Sequence, residues 1–123
     1  MIEFLPESQK QLLVAKMLGQ LTVEDYEHVL IPKLNEIMGE YQKVRAVIIV
    51  DESFTGWELG ALWEDAKYGL KHRHDFDRIA MVGTSYWLEK AVKLGSVLID
   101  SEVKTFDEDK LNDALVWVNE AER

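Results

Sequence analysis

The chain has 123 residues, of which 47% are hydrophobic and 30% are charged, with a formal net charge of −9 and no cysteine. This length and apolar share are enough for one hydrophobic core, so the sequence predicts a single domain over residues 1–123. The lack of cysteine excludes disulfide frameworks, thiol catalysis and thiolate metal sites. The acidic balance disfavours nucleic acid as a partner, because phosphate backbones repel a negative surface.

The first third of the chain predicts two strands and a helix. Residues 2–5 form an apolar edge strand and residues 12–18 a second, more buried strand. Thr22 with Asp25 three residues later is a capping-box pattern that opens a helix, and Gly39 is a C-cap signal. Pro32 lies inside this pattern and lacks a backbone N–H, so we expect a kink just before it.

The middle of the chain predicts a βαβ unit. Val44–Val50 is a nearly continuous β-branched run, which is typical of a central strand covered on both faces. A polar loop of residues 51–56, a helix over residues 57–74 and a short strand over residues 79–82 follow. The loop after the first strand of such a unit is where ligands are commonly bound.

The last third predicts a helix from Ser85 to near Gly95, a strand over residues 103–106, and a final helix capped by Asp107. The predicted order is thus β-β-α-β-α-β-α-β-α. It indicates an α/β fold with a mixed, mostly parallel sheet of about five strands, about four covering helices and right-handed crossovers.

The helix over residues 57–74 carries a regular apolar stripe. Leu59, Leu62, Trp63, Ala66 and Leu70 fall on one helical face. The pattern predicts that this face, including Trp63, packs into the core.

Four aromatic residues begin helices or precede them. Phe54 precedes the 57–74 helix, Trp57 begins it, and Tyr86 and Trp87 lie at the start of the next helix. Both helices follow strand ends on the same side of the sheet, so these rings are predicted to converge into an apolar ligand pocket or a membrane-contact rim. The alternative is a core that extends under the loops.

Basic residues concentrate between residues 67 and 78. Lys71 and Arg78 are candidates to contact the acidic headgroup of a ligand or lipid. The alternative is that these cations offset the helix dipole and solvate an outer face. His72 and His74 have a poor spacing for metal ligation on a helix, and the sequence predicts no metal site and no cofactor.

The loop of residues 51–56 offers Ser53 and Thr55 at the carboxyl end of a strand. A helix N-terminus there would favour a phosphate, so either hydroxyl is a candidate phosphorylation switch. The alternative is that one of them caps the following helix, and Asp51 and Glu52 would repel an incoming anion.

Val97, Leu98 and Ile99 form an apolar trio after Gly95. If exposed, the trio would be an association or membrane surface and a basis for a homodimer; if buried, it leads into the last strand. No catalytic motif is present, which favours a protein that is not an enzyme.

The most specific run of the chain resembles the bacterial SpoIIAA-like proteins. The residues that carry the resemblance are Gly56, Trp57, Ala61, Trp63, Asp65, Lys67, Gly69, His72, Phe76, Arg78, Ala80, Val82, Gly83 and Trp87. The resemblance implies a STAS-domain fold, which is also similar to the lipid-binding lobe of CRAL-TRIO proteins. It further implies either ligand binding with membrane association or a signalling role like that of anti-sigma-factor antagonists.

The antagonist branch carries a phosphorylatable serine in an Asp-Ser-Ser-Gly loop. Here Asp51 matches that pattern and Ser53 is a displaced counterpart of the serine, whereas Glu52 and Phe54 depart from it. Our first hypothesis is a cytoplasmic domain, peripheral to the membrane, that binds a small apolar or amphipathic lipid-like ligand. The alternative is a protein–protein signalling module that acts through the 51–56 loop.

Overall fold

The structure, a computed structural model, describes residues 1–95 and 102–120. The described residues contain seven strands: β1 (Ile2–Phe4), β2 (Leu12–Met17), β3 (Gln20–Leu21), β4 (Val44–Val50), β5 (Gly56–Trp57), β6 (Phe76–Val82) and β7 (Glu102–Phe106). Five of them form the main sheet in the order β1-β2-β4-β6-β7, and β3 and β5 form a small second sheet. In the main sheet β1 is antiparallel to β2, and the other neighbours are parallel.

The helical segments are α1 (Val23–Asp25), a π-helical turn (Tyr26–Leu30), α2 (Ile31–Tyr41), α3 (Leu59–Lys71), α4 (Ser85–Gly95) and α5 (Leu111–Asn119). The first three are continuous in the chain, so the described residues contain four helical units. The predicted α/β class, the five-stranded mixed sheet and the four helices are confirmed.

Both faces of the sheet are buried, which explains the nearly continuous apolar sequence of β4. On one face, side chains such as Leu13 and Ala46 pack with Tyr26 and Leu34 from the first helical unit. On the other face, Val14, Val47 and Ala80 pack with Ala114 and Val118 of α5. The apolar stripe predicted for the last helix is therefore the side of α5 that covers this second face.

The first helical unit begins as predicted and ends later. Thr22 and Asp25 form a reciprocal capping box, in which Asp25 N donates to Thr22 Oγ1 at 3.2 Å and Thr22 N donates to Asp25 Oδ2 at 2.9 Å. The C-cap prediction at Gly39 is wrong, because α2 continues to Tyr41 and Gln42 takes a left-handed φ of 72°. The wide π-helical turn lies directly before Pro32, so the helix accommodates the missing N–H without ending.

The apolar stripe of α3 is turned outward, and the prediction that it packs into the core is wrong. Leu59, Trp63 and Leu70 are 84%, 66% and 52% exposed, whereas Ala61 and Gly69 are buried. The physical reason is the position of α3, whose main contacts are with α1, the π-helical turn and α4. These close helix contacts are made by small residues, which leaves the large side chains on the outer face.

Smaller differences concern element ends. Trp57 belongs to β5, so α3 begins at Leu59, and β6 is longer than predicted because it begins at Phe76. Asp107 does not cap the final helix, because residues 107–110 form a turn in which Lys110 N donates to Asp107 O at 2.9 Å. The Val97, Leu98 and Ile99 trio lies outside the described residues. In the described part of the chain, no helix has the length and apolar character that a membrane span requires.

Candidate functional site

Three aromatic rings meet at the carboxyl end of the sheet. The ring centroids of Phe54 and Trp57 are 5.0 Å apart, those of Phe54 and Trp87 are 4.9 Å apart, and those of Trp57 and Trp87 are 6.0 Å apart. All three pairs are edge-to-face, the arrangement that ring quadrupoles favour. Phe54 is 3% exposed, and both tryptophans remain partly open to solvent. We call Phe54, Trp57 and Trp87 the aromatic cluster.

The backbone around the cluster is held by hydrogen bonds from neighbouring segments. Phe54 N donates to Asp51 O at 3.0 Å, and Thr55 N donates to Gly19 O at 2.9 Å. Gly56 has a φ of 122°, and a Cβ there would lie 3.4 Å from the Trp87 ring. Glycine at this position therefore allows both the backbone turn and the close approach of Trp87.

A buried hydrogen-bonded chain supports the cluster from below. Trp57 Nε1 donates to the Tyr26 hydroxyl at 3.2 Å, and that hydroxyl donates to Asp65 Oδ1 at 3.2 Å. Tyr26 is 2% exposed. Burial raises the pKa of the Asp65 carboxyl, and burial together with the Asp65 charge raises the pKa of Tyr26 well above its ordinary value. These two hydrogen bonds therefore fix the orientation of the Trp57 ring, because the Tyr26 hydroxyl accepts from Trp57 and donates to Asp65.

The exposed edge of the cluster carries a tyrosine and a lysine. The Tyr86 and Trp87 ring centroids are 4.9 Å apart, and Tyr86 is 62% exposed. Lys90 Nζ lies 5.1 Å from the centroid of the Tyr86 ring. An amphipathic anion could therefore meet aromatic faces and a cation at one place.

The four aromatic residues predicted to converge do lie together, and Lys90 and Tyr26 are further residues of the site that the sequence pattern did not indicate. Lys90 follows Tyr86 by four residues, which places both on one helical face. That spacing was a usable signal. Tyr26 gave no signal beyond an apolar helix position, since its partners Trp57 and Asp65 lie more than thirty residues away.

The structure does not bring Lys71 and Arg78 to the aromatic cluster. Arg78 Nη1 donates to Trp117 O at 2.6 Å, and its guanidinium carbon lies 4.6 Å from the centroid of the Trp117 ring, on the side of the sheet covered by α5. Lys71 is the last residue of α3 and lies roughly 18 Å along the helix axis from Leu59, the end of α3 that is next to Trp57 in sequence.

The 51–56 loop presents Ser53 on an ordered backbone. Asp51 Oδ2 accepts hydrogen bonds from Ser53 Oγ at 2.6 Å and from Ser53 N at 3.1 Å. Lys16 Nζ lies 3.5 Å from Asp51 Oδ1. The Ser53 hydrogen bonds, with help from the Lys16 charge, lower the pKa of the Asp51 carboxyl. Ser53 and Thr55 do not cap the following helix, since Glu58 holds the N-cap position of α3 and no side chain makes a cap bond there.

His72 of the basic segment has structural partners. His72 Nδ1 lies 2.8 Å from Asp75 Oδ2, and the His72 ring lies against Tyr68 with centroids 4.3 Å apart. Across residues 1–95 and 102–120, no three His, Asp or Glu side chains are grouped closely enough to hold a metal ion.

Comparison with known proteins agrees with this architecture. The sequence profile described as SpoIIAA-like matches residues 12–119. A crystal structure of an uncharacterized protein from the DUF3478 family with a SpoIIAA-like fold, from Shewanella loihica PV-4, superposes with a TM-score of 0.76 at 31% identity. The match covers 95% of this chain and 93% of that chain. None of the curated proteins matches the sequence significantly.

The profile match includes the whole of the site, from the β4 strand through the 51–56 loop to the start of α4. STAS-type domains of this kind are in general regulatory modules that act in signalling. The resemblance inferred from the residues is thereby confirmed by both comparisons. The chain belongs to the SpoIIAA-like family.

Proposed function

We propose that the protein is a non-enzymatic regulatory module that binds a small amphipathic molecule with an acidic headgroup at the aromatic cluster. The observation that carries the proposal is the meeting of Phe54, Trp57 and Trp87 at the carboxyl end of a parallel sheet. That edge of an α/β sheet is where ligands are usually bound.

The aromatic cluster suits the apolar part of such a ligand. Trp57 and Trp87 contribute large ring surfaces that are only partly buried, and a hydrocarbon chain placed against them would remove more apolar surface from water. The hydrogen-bonded chain through Tyr26 keeps the Trp57 ring in place without ligand. A site ordered in advance loses less entropy on binding.

The exposed edge suits the acidic part. Lys90 is exposed and lies over the Tyr86 ring, where its ammonium group can contact a carboxylate or phosphate. Tyr86 lies at the exposed edge of the site. The protein could therefore take up the ligand from a membrane surface while it is bound there as a peripheral protein. This arrangement replaces Lys71 and Arg78 with Lys90 as the headgroup contact.

The first test is native mass spectrometry of the protein purified from its own host, followed by denaturing lipid and metabolite extraction. The proposal predicts a fatty acid, phospholipid or related amphiphile bound at near one molecule per chain. A chain that purifies empty and takes up no fatty acid in vitro would contradict it.

A matched pair of variants assigns any bound molecule to the cluster. Tyr86→Glu changes a side chain that is 62% exposed at the edge of the site, and Val116→Glu changes one that is 63% exposed on α5. The first variant should lose the bound molecule and the second should keep it. Equal retention by both would place the molecule elsewhere.

One observation favours a second function, a protein–protein signalling module that acts through the 51–56 loop. Ser53 is exposed, and its hydroxyl is held 2.6 Å from Asp51 Oδ2, with Lys16 beyond. A phosphate on Ser53 would be repelled by Asp51 and attracted by Lys16, so phosphorylation would rearrange the loop. Incubation with host extract and ATP should then label Ser53. A Ser53→Asp variant that leaves all partner binding unchanged would speak against this function.

A further inference from the structure

Ser53 and the innermost ring of the aromatic cluster belong to one short turn. Phe54 N donates to Asp51 O at 3.0 Å, which closes a turn of four residues between the end of β4 and the start of β5. Ser53 is exposed, whereas the next residue, Phe54, is 3% exposed. The backbone of the turn therefore joins a side chain at the surface directly to the most buried ring of the cluster.

The side chain of Asp51 holds this turn closed. Its Oδ2 accepts from Ser53 Oγ at 2.6 Å and from Ser53 N at 3.1 Å, which is the arrangement of an Asx turn. Asp51 is itself fixed to the sheet, because its N donates to Met17 O at 3.0 Å and its Oδ1 lies 3.5 Å from Lys16 Nζ. The position of Ser53, and with it that of Phe54, depends on this one carboxylate.

A negative charge on Ser53 is incompatible with this arrangement. A serine kinase that transfers the γ-phosphoryl group of ATP to Ser53 Oγ releases ADP and takes up the hydroxyl proton that Asp51 accepts in the unmodified protein. The phosphate then repels the Asp51 carboxylate. Glu52 adds another exposed acidic group to the same turn, and Lys16 is the cation beside it. As the two anions separate, the bond from Ser53 N to Asp51 is also lost, and the turn opens.

Phe54 is the part of the cluster that such an opening displaces. Its ring makes edge-to-face contacts with Trp57 and Trp87, at centroid distances of 5.0 and 4.9 Å. The chain on the far side of Phe54 is anchored separately, since Thr55 N donates to Gly19 O at 2.9 Å and the buried hydrogen-bonded chain holds the Trp57 ring. The movement is therefore limited to the turn, and the two tryptophans lose the ring that they share.

We propose that a negative charge on Ser53 opens the 51–54 turn, displaces Phe54 and takes the aromatic cluster apart. One consequence rests on the proposed function: the amphiphile is released, so that phosphorylation of Ser53 and ligand binding oppose each other. The 51–56 loop and the aromatic cluster are then two parts of one regulated site.

The test combines two measurements. Near-UV circular dichroism reports the packing of the rings without ligand, and tryptophan quenching by a brominated fatty acid reports affinity. Ser53→Glu should reduce the near-UV signal and lower the affinity about tenfold, a usual size for coupling between two sites. Thr55→Glu is the matched control, because it adds the same charge at an exposed position of the same loop whose backbone bond to Gly19 does not involve Asp51. It should leave both readouts unchanged, which separates opening of the turn from simple repulsion of the fatty acid.

Two further variants distinguish opening of the turn from the added charge. Asp51→Ala removes the acceptor without adding an anion and should reproduce the effects of Ser53→Glu. Ser53→Thr keeps a hydroxyl and the backbone N–H, and it should match the parent.

An unchanged near-UV signal in both Ser53→Glu and Asp51→Ala overturns the proposal, even if the parent protein binds the fatty acid. An equal loss of signal in Thr55→Glu overturns it as well. A signal that is reduced in Ser53→Glu and Asp51→Ala alone, in a protein whose parent binds no fatty acid, supports the opening of the turn and contradicts the proposed function instead.

Discussion

At the residue scale, Tyr26 is the side chain on which the site depends most. Its hydroxyl joins Trp57 of the aromatic cluster to Asp65 of α3, and it is almost fully buried. Removing that hydroxyl leaves the Trp57 Nε1 donor and the Asp65 acceptor, both partly buried, without their partner. A polar group that is removed from water and left without a hydrogen bond lowers the stability of the folded state.

Tyr26→Phe should therefore lower the free energy of unfolding by about 1–2 kcal/mol. Tyr68→Phe is the matched control, because it removes a hydroxyl whose bond to Asn35 is exposed to solvent. Urea unfolding of both variants gives the comparison. Equal losses of unfolding free energy would show that the hydrogen bonds of the Tyr26 hydroxyl stabilise the fold no more than the exposed bond of Tyr68 does.

Asp65 gives a prediction about pH. Its pKa in the folded protein is raised above the ordinary value of 3.8 by burial. Between that value and the raised pKa the folded state holds more protons than the unfolded state, so stability falls as the pH rises through this window. Asp65→Asn removes the buried charge and keeps an oxygen that can accept from Tyr26.

The Asp65→Asn variant should thus be more stable than the parent at pH 7, and the gain should shrink as the pH falls through the raised pKa toward 3.8. Asp51→Asn should behave in the opposite way, because the Asp51 pKa is lowered and its contribution is present above 3.8 and lost as the pH falls. Unfolding curves at several pH values separate the two. A gain for Asp65→Asn that is independent of pH would show that charge is not its cause.

Phe54 tests the packing of the cluster itself. Phe54→Ala removes a ring that is 3% exposed and lies against both Trp57 and Trp87, and it should lower stability by about 3–5 kcal/mol. Tyr86→Ala, at the exposed edge, should change stability by no more than about 0.5 kcal/mol. Thermal unfolding monitored by near-UV circular dichroism measures both effects.

At the element scale, α3 is the segment in which local pattern and tertiary structure disagree. Periodicity shows that a helix has an apolar face, but it does not show which way the face points. Here Gly60 lets α3 approach Val23 of α1, and the fully buried residues of α3 are the small Ala61 and Gly69. Small residues contribute little to an apolar periodicity, whereas Leu59, Trp63 and Leu70 contribute strongly. The pattern therefore predicts that the face with the large side chains is the buried one, which is wrong.

Substitution of a single glycine tests this explanation. Gly60→Ala improves helix propensity, yet the new methyl group meets the Val23 side chain, so we expect a net loss of about 1–3 kcal/mol. Gly39→Ala is the control on α2, where a Cβ would have open space, and it should raise stability by about 0.5–1 kcal/mol. A stabilising Gly60→Ala would mean that α3 does not pack closely on α1.

Other elements were predictable because their signals are local. The capping box at Thr22 and the apolar run of β4 depend on residues close in sequence, and both agree with the structure. The β3–β5 pair could not be foreseen, since each strand has two residues and the pairing joins Gln20 to Gly56 across a whole helix.

At the scale of the whole molecule, the topology explains how the site is assembled. β4 and β6 are parallel neighbours, so the loop after one and the helix after the other begin at the same edge of the sheet. That rule allowed Phe54, Trp57, Tyr86 and Trp87 to be grouped from sequence alone. The same rule explains why Arg78, near the start of β6, lies at a distance from them.

The most direct test of ligand binding at the cluster is tryptophan quenching by a brominated fatty acid, since bromine quenches indole emission at contact. In a Trp63→Phe/Trp117→Phe background, the remaining emission comes from Trp57 and Trp87, because the chain has four tryptophans. We expect saturable quenching in this background, and we expect it to be lost when Lys90→Glu and Tyr86→Glu are added. Quenching that requires Trp63, or no saturable quenching at all, would contradict it.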